Sequence, residues 1–169
     1  MDFKSKIMKR KNVVLFLFFL LTLATGCKSP LTGAAGNYVY KTECLGNELD
    51  GSIIVKAWGF GKNQKEAFQQ AKINAVKDVL FLGIYEGKSD CGHIPLITEV
   101  NAYQKNEIYF NDFFSNRGDY SDFVKVESSK KDIVIKPARN GITVGLVVKI
   151  LKSDLKEKMI KDSNKLKIK

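Results

Sequence analysis

One histidine, one tryptophan and three cysteines among 169 residues leave little material for a metal cluster or a catalytic site built on imidazole. A long apolar run is also missing. The longest, Val13 to Ala24, has about 12 residues, whereas a helix crossing a bilayer core needs roughly 20. With 44% hydrophobic and 27% charged residues, the chain is neither disordered nor fibrous. Its length suits one domain with a leader and a tail better than two domains.

The formal charge of +10 invites a nucleic-acid reading, but its distribution argues against one. Lys4, Lys6, Lys9, Arg10 and Lys11 stand before the apolar run. Without residues 1–26 the chain carries 23 basic and 17 acidic side chains, a balance of +6. Residues 149–169, with eight lysines against Asp154, Glu157 and Asp162, hold +5 of that. The body from Cys27 to Val148 is nearly neutral, so no basic groove is expected and no nucleic-acid partner. The basic end touches anionic headgroups or an acidic partner, at up to about 1 kcal/mol per charge, or is a solvated, frayed terminus.

A basic start, a short apolar core and the small residues Ala24, Thr25 and Gly26 before Cys27 form a secretory signal. A retained membrane anchor is the alternative, disfavoured because nothing after Cys27 prolongs the apolar run. Leu23-Ala24-Thr25-Gly26-Cys27 resembles the lipobox of bacterial lipoproteins, with Ala24 where leucine is commoner. The resemblance implies cleavage before Cys27, a diacylglycerol on its sulfur and an N-acyl chain on the new amino terminus. Two or three acyl chains make a stable anchor where one does not. Lys28 and Ser29 lack the aspartate that keeps such lipoproteins at the inner membrane, and the acidic run that marks surface export is absent. The expected location is therefore the periplasmic face of the outer membrane, and no other cofactor is expected.

Residues 27–36, small and turn-forming, read as a lipidated anchor and flexible tether. A single α+β domain is expected over 37–162 and a basic tail over 163–169. In an oxidising compartment Cys44 and Cys91 read as a disulfide; two separate buried thiols are the alternative. A zinc site is not expected, because His93 is the one further soft ligand nearby and four are normally needed.

A β-branched strand is expected from Ser52 to Trp58, closed by a turn at Gly59-Phe60-Gly61. Asn63 with Glu66 makes a capping-box pattern. The helix that follows, about Gln64 to Leu82, repeats Ala67, Ala71, Ala75 and Val79 every fourth residue, a face that lets a helix approach a sheet closely. A loop spans Tyr85 to Pro95, and a second, aromatic-rich helix Thr98 to Phe114. Two strands follow: Phe123 to Ser128 leading through Ile133 to Ile135, and Ile142 to Leu151. Asn140-Gly141 marks the hairpin between them. Ser153 or Asp154 caps a last helix. This order predicts a small antiparallel sheet packed by the two main helices.

Gly59-x-Gly61 lacks the third glycine of a dinucleotide loop, so it reads as structural. Cys91 and His93 are too close in a loop to serve as nucleophile and base, and no convergent acid, base or nucleophile set appears; no catalytic and no metal residue is predicted. Phe110, Phe113 and Phe114 cannot all face one core from one helix. With Tyr103 they form the candidate partner-binding patch, against the alternative of an ordinary core.

Val55-Lys56-Ala57-Trp58-Gly59-Phe60-Gly61, followed by Lys65-Glu66-Ala67, Ala71 and Asn74-Ala75, resembles a module of small outer-membrane lipoproteins of the LPP type and of the amino-terminal domain of a flagellar assembly protein. That resemblance implies a small α+β domain without enzymatic activity. Cys91-Gly92-His93-Ile94-Pro95-Leu96 departs from it and is similar to Bacteroidetes-type lipoproteins, among which the type VI secretion apparatus uses a membrane-complex lipoprotein. The function expected is a non-enzymatic assembly or scaffold subunit of an envelope complex, partnered by the membrane and by other envelope proteins. The rival is a periplasmic small-ligand-binding or regulatory lipoprotein with its pocket beside Tyr103 and Phe110.

Overall fold

A computed structural model describes residues 40–166; Cys27, the leader and the tether lie outside them. The strands are β1 (Glu43–Asn47), β2 (Ile53–Gly61), β3 (Glu86–Gly87), β4 (Val124–Val126), β5 (Val134–Ala138) and β6 (Gly141–Ile150). The helices are α1 (Gln64–Lys77), α2 (Ala102–Lys105), α3 (Glu107–Phe113) and α4 (Lys152–Lys161). The fold is α+β with one sheet in the order β3-β1-β2-β6-β4, β5 also pairing with β6. Every pairing is antiparallel except the two-residue match of β3 to β1.

The alternation of β2 decides which face is core. Ile53, Val55, Ala57, Gly59 and Gly61 point inward, while Ile54, Lys56, Trp58 and Phe60 remain partly exposed on the other face. The two glycines are the end of the strand, not the turn expected there. A Cβ on Gly59 would lie 2.1 Å from Ala71 N and 2.3 Å from Ala67 O; one on Gly61 would lie 2.4 Å from Ala67 N. The Gly-x-Gly pair is thus the floor on which the alanine face of α1 rests, with Ala67, Ala71 and Ala75 fully buried. Asn74 Nδ2 donates to Trp58 O at 2.8 Å and ties helix to strand.

Asn63 caps α1 by accepting from Glu66 N at 3.0 Å, and the Glu66 carboxylate accepts in return from Asn63 Nδ2 at 2.7 Å and from Lys62 N at 3.0 Å. Past Lys77 the helix widens into a π-helical turn, Asp78–Leu82. It ends at Gly83, whose φ of 77° and closeness to His93 O leave no room for a Cβ. Carbonyls at this loosened end serve the following loop: Leu96 N donates to Val79 O at 3.0 Å and Ile97 N to Leu80 O at 2.9 Å.

Several expectations need correction. The helix expected over Thr98 to Phe114 is two short helices, because Asn106, buried and out of helical conformation, turns the chain while its Nδ2 donates to Ala102 O. The strand expected to run from Phe123 through Ile135 divides: β4 and β5 share one edge of β6, and the loop between them leaves the ladder. Ser128 Oγ fills the gap, accepting from Val147 N at 2.6 Å. Helix α4 begins at Lys152 with no side-chain cap; Ser153 and Asp154 sit inside its first turn. The body does not end at residue 162, because Leu166 is buried in the core. The Tyr85–Pro95 segment carries β3 and a 3-10 turn over Ser89–Cys91.

A candidate binding cleft beside Tyr103

Cys44 on β1 and Cys91 on the 3-10 turn place their sulfurs 2.01 Å apart, at disulfide distance, with 5.8 Å between Cα atoms. The bond leaves no thiol among the described residues for His93 to activate. His93 Nδ1 lies 2.9 Å from Ile84 O, and its ring stacks on Tyr85. Lys152 Nζ donates to Cys91 O at 2.7 Å and fixes this corner to α4.

The aromatic segment behaves differently from the partner-binding expectation. Phe110, Phe113 and Phe114 are all buried, which a single straight helix would not permit. The break at Asn106 reorients α3, and Phe114, at the end of α3, folds back at non-helical dihedrals, so all three rings reach one core. Phe81 meets Phe110 edge-on at 4.9 Å, and Tyr103 stacks on Phe110 at 5.5 Å. Tyr103 alone of the four expected residues stays partly exposed.

Tyr103 forms one side of a cleft of about 440 Å³ between the end of α1 and the Pro95–Gln104 segment. Phe81 and Ile97 contribute apolar wall, and Leu82 and Val100 stand at its rim, 63% and 75% exposed. The π-helical turn builds this wall, since the carbonyls of Val79 and Leu80 hold the loop through Leu96 and Ile97. The other side depends on Asn101, the one non-glycine residue among those described with a left-handed backbone (φ 59°). Such conformations are costly and persist where surrounding contacts impose them.

Lys77 supplies the charge of the cleft. Its Nζ lies 4.8 Å from the Tyr103 ring centre and 5.0 Å from that of Phe114. Burial lowers its pKa from the usual lysine value, and among the described residues no carboxylate pairs with it. Cation–π contact offsets part of that desolvation. Glu99, also in the cleft, is engaged by Lys105 Nζ at 2.5 Å. Tyr103 OH donates to Asn111 Oδ1 at 2.8 Å, and burial with the nearby Glu107 charge raises its pKa. The cleft therefore combines apolar walls with one half-desolvated cation, an arrangement suited to an apolar group bearing a negative charge.

The sequence signals missed here were Lys77, Phe81 and the Pro95–Asn101 wall. Lys77 reads as one more polar residue outside the alanine stripe, and nothing local marks it as covered by rings some 26 and 37 residues further on. Among the described residues no group of three or more histidine, cysteine, aspartate or glutamate side chains is placed to hold a metal ion. No described helix is long and apolar enough to cross a membrane. Comparison of the chain with family models, with curated proteins and with solved structures finds no match.

Proposed function

We propose that this chain is an exported lipoprotein, anchored through acyl chains on Cys27 at the periplasmic face of the outer membrane. Its domain acts as a non-enzymatic assembly subunit of an envelope complex, docking a partner protein at the Tyr103 cleft. The observation that carries the docking site is the exposure of Leu82 and Val100 beside a cleft that already holds Lys77. Exposed apolar side chains bordering a concavity suit an apolar anchor residue of a partner, with a neighbouring acidic group meeting the cation. The disulfide supports the oxidising compartment that the leader implies.

The rival reading, a small-ligand lipoprotein, is favoured by the half-buried Lys77 amine, which suits a small amphipathic anion. A photo-crosslinking amino acid at Val100, incorporated in cells, separates the two. The assembly reading expects one discrete protein adduct that disappears with Leu82→Asp, while the same probe at Lys65, on the far end of α1, yields none. No protein adduct at Val100, with a small anion in the native mass spectrum lost on Lys77→Met, would replace the first reading with the second.

A further inference from the structure

The uncovered face of the sheet has a composition unlike the rest of the surface. Its outward positions include Lys56, Trp58 and Phe60 on β2, Lys125 on β4 and Lys136 on β5. Tyr40, just before β1, stacks on Trp58 with ring centres 4.4 Å apart. Lys136 Nζ stands 4.4 Å from the Tyr40 ring centre and 5.0 Å from that of Trp58; Lys56 Nζ is 5.2 Å from Trp58. Glu43 opposes Lys56 across the strands, and Lys149 is engaged by Glu48 and Asp50. Lys125 and Lys136 are the exposed lysines of this face that have no carboxylate partner among the described residues.

Position along the chain matters as much as composition. Because Tyr40 lies on this face, the preceding chain enters the domain there. Twelve residues, 28–39, lie between Cys27 and Tyr40, a reach of at most about 45 Å. An acylated Cys27 would keep this face within that reach of the bilayer. Docking is then intramolecular, and weak attraction is enough. Tyrosine and tryptophan suit the headgroup level of a membrane, and exposed lysines are drawn to anionic lipid.

We propose that the open face of the sheet, centred on Tyr40, Trp58, Lys125 and Lys136, rests on an anionic phospholipid surface. This rests on the anchoring at Cys27. It leaves the helical layer, and with it the Tyr103 cleft, directed away from the membrane toward a periplasmic partner.

Trp58 is the one tryptophan of the chain, so its fluorescence reports on this face alone. The full acylated protein, extracted in detergent, is reconstituted into phosphatidylethanolamine–phosphatidylglycerol vesicles in which some lipids are brominated near the top of the acyl chain. Flotation with the vesicles tests the anchor; quenching of Trp58, relative to matched unbrominated vesicles, tests the face. The expected result is flotation in every lipid, with strong quenching in anionic vesicles only. Lys125→Glu with Lys136→Glu should cut that quenching at least threefold, as should 0.5 M salt, while flotation stays unchanged and the thermal unfolding midpoint falls by no more than about 5 °C, the loss expected from the Lys136 cation–π contacts. Flotation with no quenching, or with equal quenching in neutral phosphatidylcholine, would overturn the face-docking and leave the anchor standing. Failure to float would overturn the anchor and the docking together.

Discussion

Replacing Gly59 by alanine adds a single methyl group at the point where sheet and helix are closest. That Cβ would sit 2.1 Å from Ala71 N, 2.3 Å from Ala67 O and 2.8 Å from Ala71 Cα, where ordinary carbon contacts begin near 3.5 Å. Relief requires α1 to move more than 1 Å from β2, loosening Ala67, Ala71, Ala75, Val76 and Leu80 against Val55, Ala57, Val144 and Leu146, all of them fully buried. Overpacking of this kind costs about 1–3 kcal/mol where side chains can yield; here the obstructing atoms are backbone, so about 3 kcal/mol or more is expected. Against the 5–15 kcal/mol of a typical domain, this should lower the thermal midpoint by about 10 °C, measured by circular dichroism with the disulfide intact. Ala71→Gly should not rescue the variant, because it removes neither the Ala71 amide nor the Ala67 carbonyl. A Gly59→Ala protein within about 0.5 kcal/mol of the parent would refute the claim that this glycine exists for close packing.

Breaking the Cys44–Cys91 bond by serine at both positions frees a loop of 47 residues' separation. It should cost about 4 kcal/mol on the chain-entropy account, read by urea unfolding against the parent. Asp162 is buried and accepts from Tyr109 OH at 2.7 Å, with Lys158 Nζ 3.1 Å away; the Tyr109 bond first, then Lys158, holds its pKa below the usual aspartate value. Asp162→Asn should therefore destabilise the domain by about 1.5 kcal/mol at pH 7. That difference should persist above pH 4 and fade as acid protonates the parent's carboxylate; a difference that does not change with pH would contradict it. Burial depresses the Lys77 pKa, so this lysine costs the fold less as pH rises toward 10, and the stability of Lys77→Met relative to the parent should fall between pH 8 and pH 10 in unfolding curves; a difference that does not change would contradict it.

What could be read in the sequence was whatever depended on spacing within one element. The alanine stripe and the Asn63 cap are local patterns that appear where their spacing indicates; the β5–β6 hairpin also forms, but Ala138 pairs with Gly141, so its turn residues are Arg139 and Asn140 and Gly141 opens the strand. β1 was not legible: five residues with Gly46 in their midst and one fully buried side chain carry no alternation, and the strand forms because β2 and Cys91 hold it. The failure over Thr98 to Phe114 came from treating aromatic spacing as one helix. The buried side-chain bond from Asn106 to the Ala102 carbonyl turns the chain, and the aromatic residues pack inside instead of offering a surface. Leu166 gave a similar surprise, since among so many lysines one leucine gives no periodic signal, yet its amide reaches the Asp162 carbonyl and its side chain joins the core. The cleft was legible only in Tyr103; Lys77 and Leu82 acquire meaning from chain that arrives later.

Membrane anchoring requires a covalent lipid at Cys27, and intact-mass spectrometry of the protein extracted from membranes tests for it most directly. The predicted species begins at Cys27, carries a glycerol with two or three acyl chains, and is two hydrogens lighter than its reduced form. A mature chain that still contains residues 1–26, or one that begins elsewhere and carries no acyl mass, would contradict the account.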